Sequence, residues 1–234
     1  MINSTLNTPL NRPHTTVILA MTADGKIADI KRSPAGFGSP NDKAHLEEQV
    51  ALTDGILFGA GTLRSGGSAM RVINPELLKQ REAAGKPPQP VQIVCTRSGE
   101  IDPQIKFFRQ PIPRWLLTTK AGAKSWEGHS GFDQILICET SEGEIDWNEA
   151  LQQMLDLSLN KLGILGGGEL VASVLEADAI DELWLTVCPF IFGGATAPTP
   201  VQGAGLPADM ALRLELMSVK TVEQEVFLHY RLQR

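Results

Sequence analysis

Apolar runs of two different periods alternate along this chain, and the breaks between them mark out its elements. The β-branched run "TTVILAMT" (15–22), closed by Asp24 and Gly25, predicts a strand and a tight turn. Over 39–53, Ala44, Leu46, Val50 and Leu52 recur at mostly helical spacing behind Ser39, Pro40 and several acids, which predicts a capped helix. "DGILFGAGT" (54–62) is a short buried strand running into glycines. "NPELLKQREAAGK" (74–86) is a helix with proline in its first turn and Gly85 at its end.

Three short apolar runs bounded by breakers follow, at 91–96, 114–119 and 133–139, each read as a buried strand. Helical periodicity behind an acid marks 146–159. "KLGIL" (161–165) is then a strand, "GELVASVLEADA" (168–179) a helix and "DELWLTVCPFIF" (181–192) a strand. Two alternating runs, 212–222 and 224–233, predict a C-terminal antiparallel hairpin.

Strands that alternate with helices imply an α/β fold of three layers, with a mostly parallel central sheet and the antiparallel hairpin at one edge. No internal repeat and no dividing linker interrupts the pattern, so residues 14–234 are expected to form one domain. The polar, proline-dotted stretch 1–13 reads as a disordered lead-in.

Composition narrows the function. A chain of 234 residues can bury a sizeable core, and a net charge of −6 with scattered Lys and Arg argues against a nucleic-acid surface. No apolar run approaches the roughly 18–20 residues of a membrane span. Cys95, Cys138 and Cys188 are odd in number, far apart and set in aliphatic runs, which suits buried reduced thiols in a cytoplasmic protein. His14, His45, His129 and His229 are isolated in sequence, so no metal is expected. The four tryptophans read as packing residues.

Candidate chemistry collects at strand ends. Gly166, Gly167 and Gly168 end one strand and open a helix, so bare backbone N–H groups and the helix dipole would favour an anion there. The run is no P-loop, because no Gly-Lys-Ser/Thr follows. It also fails G-x-G-x-x-G at Val171, so a phosphate seat and a plain turn both remain open. Gly59, Gly61 and Thr62 would present backbone and one hydroxyl at a second strand end, whereas Gly66 and Gly67 read as a surface loop. Thr96 and Arg97 at a third end suit a phosphate monoester, although an exposed Arg is commonly just solvated. Ala20 would admit a flat ring, and Asp24 reads as a turn former before a catalyst.

Taken together, "ILAMTADGKIA", "DGILFGAGTL", "ILGGGELVASVLEADAIDELWLTVCPFIFGG" and "APTPVQGAG" resemble the C-terminal reductase domain of the riboflavin-biosynthesis deaminase/reductase. They are similar also to its stand-alone relatives, the pyrimidine reductases with a dihydrofolate-reductase-like fold. The resemblance runs in order from about residue 15 to the end. It implies NADPH as cofactor, a homodimer, and reduction of the ribosyl group of a phosphoribosylamino-pyrimidine to ribityl through the ring-opened imine. By position it implies Ala20 and Thr62 beside the nicotinamide and Thr96 with Arg97 at the adenosine 2′-phosphate. Gly166, Gly167, Gly168, Glu169 and Leu170 would hold the pyrophosphate.

The departures fall on the substrate side. The family commonly has an acid where this chain has Leu165, an arginine where it has Val50, and V-x-x-D-D-P where it reads "LRSGGSA" with Gly66. Asp24, Leu165, Arg64 and Arg71 are the candidate substrate contacts, the two arginines replacing the lost phosphate ligands. The competing readings are a reductase of another carbonyl, imine or pterin-like compound, and a non-catalytic NADP-binding protein.

Overall fold

The computed structural model describes residues 11–33 and 36–234. Its parallel strands are β1 (His14–Thr22), β2 (Gly55–Gly59), β3 (Val91–Cys95), β4 (Arg114–Thr118), β5 (Gln134–Ile137), β6 (Lys161–Ile164) and β7 (Glu182–Cys188). The hairpin β8 (Leu214–Val222) and β9 (Glu225–Leu232) turns through Glu223 and Gln224. All lie in one sheet of order β5-β4-β3-β2-β6-β1-β7-β9-β8, with β9 antiparallel to β7 and β8 antiparallel to β9.

Helices form where local signals start and stop them. Helix α1 (Pro40–Leu52) begins at Ser39, whose side chain accepts from the N–H groups of Asn41 and Asp42. Helix α3 (Pro75–Ala83) is capped by Asn74 and α5 (Trp147–Asp156) by Asp146. Helix α6 (Gly168–Glu176) starts at Gly167 with no side-chain cap. Two short helices, α2 (Ala60–Gly66) and α4 (Lys120–Lys124), fall outside the sequence expectation. Gly66 is helical rather than loop, because Leu63 buries itself completely and winds the segment onto the core. Gly67 then ends the helix with φ +64°.

The strands' alternating side chains divide the core. Ile56, Phe58, Val94 and Leu116 face Val50, Ala51 and Leu77 of α1 and α3. Leu57, Ile93, Leu117 and Ile164 face Leu151 and Met154 of α5 and Val171 and Val174 of α6. The result is the expected three-layer arrangement. Strand β7 stops at Cys188, because Pro189 cannot extend the ladder, and Phe190, Ile191 and Phe192 are exposed loop residues.

Most of the expected lead-in lies outside the described residues, but Arg12 already belongs to the fold. Its guanidinium gives two 2.8 Å bonds to the buried carboxylate of Asp181, which also accepts from the Thr15 N–H at 2.8 Å and from Arg234 at 2.8 Å. Burial opposes ionisation of Asp181, but Arg12, the Thr15 N–H and Arg234 outweigh it and hold the carboxyl well below the usual carboxylate range. Residues 12 and 234 thus meet beside the start of β1. The thiols of Cys95, Cys138 and Cys188 are free and pushed up to about 12 by burial. The isolated histidines are brought together in part: His229 lies 3.0 Å and His14 3.9 Å from the carboxylate of Glu182.

The described residues leave one apolar surface uncovered. Register places Leu185, Leu228 and Val219 in one row, and Leu183, Tyr230 and Leu216 in the next. Both rows lie on the face that carries Val17, the partner of Leu183. Leu216 and Val219 on the edge strand β8 are 52% and 53% exposed.

Candidate functional site

The chain leaves β2 through α2 and α3 toward β3, on one face of the sheet. It leaves β6 through α6 toward β7, on the other. Adjacent strands whose connections diverge open a crevice at their carboxyl ends, the usual ligand position in open α/β sheets. That crevice lies between β2 and β6, with β1 beside them.

Its floor is glycine. The Gly59 N–H donates to the Gly166 carbonyl at 2.9 Å, joining the two loops. A Cβ built at Gly59 would lie 3.8 Å from the Gly167 nitrogen. Gly166 has φ +88° and the Gly166–Gly167 peptide is cis. Gly168 is packed so that a Cβ would meet the Thr199 carbonyl at 2.2 Å, while the Gln202 N–H donates to the Gly168 carbonyl at 3.0 Å. Segment 198–203 therefore walls the start of α6. Gly167 differs from its neighbours: its φ of −74° suits any residue, and a Cβ would only touch Thr62 Oγ1 at 3.5 Å. Neither backbone nor packing demands glycine there, so its bare surface is free for a ligand.

The structure thus brings Thr62, Gly166, Gly167, Gly168, Glu169 and Leu170 together around one crevice. Leu170 is on the buried face of α6, whereas Glu169 is exposed and lies 3.8 Å from Arg32. Ala20 lies two residues before the end of the neighbouring β1, in register with Thr186 of β7. Thr96 and Arg97 follow β3. The Arg97 carbonyl accepts from Thr119 Oγ1 at 2.7 Å, and the exposed guanidinium pairs with Glu144.

The proposed substrate residues are less convergent. Asp24 accepts from Thr22 Oγ1 at 2.6 Å, from the Gly193 N–H at 2.6 Å and from the Phe192 N–H at 3.2 Å. Chiefly through the Thr22 hydroxyl, these bonds hold its carboxyl below its ordinary range, and they tie the β1 turn to the loop after β7. Arg64 donates to the Glu100 carbonyl at 3.1 Å, on the outer side of α2. Arg71 is half-buried between α2 and α3. Leu165 packs with Leu46, Ala69 and Met70 against the cluster holding Val50, Phe58 and Leu63. The acid and the arginine that the resemblance led one to expect are therefore replaced by two members of one apolar cluster.

Sequence reasoning missed Gln202 in that wall and the position of Arg32, whose carbonyl accepts from Ser65 Oγ at 2.8 Å. No local pattern signals contacts across such separations.

Residues 13–228 match the RibD C-terminal domain. The chain belongs to that family. A 2,5-diamino-6-ribosylamino-4(3H)-pyrimidinone 5′-phosphate reductase from Methanothermobacter thermautotrophicus is 26% identical over 222 residues, 94% of this chain and 98% of that protein. The riboflavin biosynthesis protein RibD of Actinobacillus pleuropneumoniae is 26% identical over 224 residues, of whose length this chain spans 57%. Among solved structures, a pyrimidine reductase-like protein from Corynebacterium diphtheriae superposes with TM-score 0.81 at 19% identity, covering 96% of this chain and 93% of that one. Dihydrofolate reductase from Enterococcus faecalis gives TM-score 0.50 at 15% identity over 94% of this chain and 99% of that one. The fold is the dihydrofolate-reductase-like one expected from the sequence, and no helix among the described residues is long and apolar enough to cross a membrane.

Proposed function

We propose that residues 14–234 form one NADPH-dependent reductase domain of riboflavin biosynthesis. Its reaction converts the ribosyl group of 5-amino-6-(5-phosphoribosylamino)uracil, or of its diamino-pyrimidinone precursor, to ribityl. The observation that carries this reading is the crevice itself, where Gly167 is bare although nothing in the packing requires it. An uncapped helix start beside it offers N–H groups to a pyrophosphate. The bound nicotinamide supplies the hydride, and the protein contributes position and exclusion of water. Thr62 and Ala20 border the ring, and Gly166 to Leu170 seat the pyrophosphate.

Arg97 meets the 2′-phosphate in this account. Its pair with Glu144 is exposed on both sides, so exchanging that partner for a phosphate costs about 1 kcal/mol or less. Arg97→Ala should therefore weaken NADPH by about tenfold or more while leaving NADH nearly unchanged. Equal losses for the two nucleotides would remove this role.

The apolar rows on β7, β9 and β8 support a homodimer, since a long edge strand with exposed Leu216 and Val219 invites pairing with a second copy. Leu216→Lys with Val219→Lys should halve the mass seen by sedimentation; a wild-type protein that already runs as a monomer would contradict it. Free thiols, buried at Cys138 and Cys188 and half-buried at Cys95, support a cytoplasmic setting.

One observation favours a second reading. The Leu165–Val50 cluster removes charge from the substrate side, which suits another carbonyl, imine or pterin-like substrate. Complementation of a strain lacking the pyrimidine reductase separates the two. Growth without riboflavin supports the pathway substrate, and failure by a well-folded, NADPH-binding protein supports the second reading.

A further inference from the structure

Arg32 bridges the two helices that flank the glycine crevice. Asp29 turns the chain toward it: its carboxylate accepts from the Lys31 and Ser33 N–H groups at 2.9 Å each, and its carbonyl from the Arg32 N–H at 3.0 Å. On one side the Arg32 carbonyl accepts from Ser65 Oγ of α2 at 2.8 Å. On the other, the Arg32 guanidinium reaches Glu169 of α6, 3.8 Å away. Ser65 stands three residues after Thr62, so the two share a face of α2. Thr62 Oγ1 is the group that a Cβ on Gly167 would touch. Glu169 follows Gly167 by two residues, in the first turn of α6. Both partners of Arg32 are thus neighbours of the bare Gly167.

We propose that the Arg32 guanidinium binds the pyrophosphate of the dinucleotide, leaving Glu169 to do so. This deepens, and rests on, the reading of Gly167 and the start of α6 as the pyrophosphate seat. Backbone N–H groups carry only partial charge, and Glu169, the acid in the first turn of α6, opposes an anion. A doubly charged ligand there calls for a cation. The planar fork of an arginine suits two phosphate oxygens at once.

The present pair is easily exchanged. It is 3.8 Å long, with side chains 59% and 76% exposed, so water already screens it. Glu169 loses little when its carboxylate is returned to solvent. The Asp29 turn and the Ser65 bond hold the backbone of residue 32 from both sides, so only the side chain has to swing. Arg64 does not compete for the role, since it donates to the Glu100 carbonyl on the outer side of α2.

Titration calorimetry of the full chain with NADPH and with NADH tests this, because the two share the pyrophosphate. Arg32→Gln should weaken both by about tenfold or more, while melting without ligand as the wild type does. Arg97→Ala, by contrast, should weaken NADPH alone. Glu169→Gln keeps its N–H and should bind both at least as tightly as the wild type. Unchanged affinities in Arg32→Gln would overturn the proposal. So would a raised KM for the pyrimidine with unchanged nucleotide affinities, which would move the guanidinium to the substrate's phosphate. Inorganic pyrophosphate is the probe that needs no nucleotide: it should raise the Tm of the wild type and leave that of Arg32→Gln unmoved. A wild type that holds pyrophosphate through Arg32 but binds neither nucleotide would overturn the cofactor reading and keep the anion ligand. A wild type stabilised by none of the three would overturn both.

Discussion

Gly167→Val is expected to lower NADPH affinity by about a hundredfold or more, a loss of roughly 2.7 kcal/mol, while leaving the fold intact. The three glycines differ in what they need. Gly166 sits at φ +88°, where a side chain strains the backbone, and a Cβ at Gly168 would collide with the Thr199 carbonyl at 2.2 Å. Substituting either would disturb folding and binding together. Position 167 has an ordinary φ and only van der Waals contact with Thr62, so valine changes the ligand surface and little else. Isothermal titration with NADPH, beside a melting curve without it, reads both quantities. If the variant melts normally and still binds as the wild type does, the glycine run is only a turn.

Asp181→Asn is expected to cost about 3 kcal/mol of stability, at the low end for breaking a buried ion pair because the Arg234 partner reaches solvent. At 234 residues this corresponds to a fall of roughly 6–12 °C in Tm. The carboxyl serves Arg12, Arg234 and the Thr15 N–H at once, so the amide leaves two guanidiniums without their counter-charge. The pH dependence follows from the depressed value in the folded state. The stabilisation is complete above the unfolded value of about 3.9 and drains away as pH falls below it toward the folded one. Acid unfolding of the wild type should thus erode the difference between the two proteins. A constant gap in Tm from pH 7 down to pH 3 would contradict the assignment.

Local order was largely legible in the residues. Ser39, Asn74 and Asp146 cap their helices because short polar side chains next to a periodic run satisfy the first N–H groups, a purely local matter. The strands and the antiparallel end were legible for the same reason. Strand order was not, since the insertion of β6 between β2 and β1 depends on crossovers far longer than any local period. Helix α2 escaped because its glycines read as loop, and only burial of Leu63 makes it helical. The glycine seat was visible as a pattern, but its partner at Gly59 and its wall at Thr199 and Gln202 arise from tertiary packing. Leu165 and Val50 stood out singly as departures. Only the fold shows them as parts of one apolar cluster.

The central claim is that the crevice between β2 and β6 carries a nicotinamide-dependent reduction of the pathway pyrimidine. The most direct measurement mixes purified protein with NADPH and 5-amino-6-(5-phosphoribosylamino)uracil, follows the reduced-nicotinamide absorbance and analyses the product for the ribityl group. The account predicts loss of absorbance matched mole for mole by ribitylamino-pyrimidine, and a far weaker response with NADH. NADPH that binds but is never oxidised, with this pyrimidine or its diamino-pyrimidinone precursor, would contradict it.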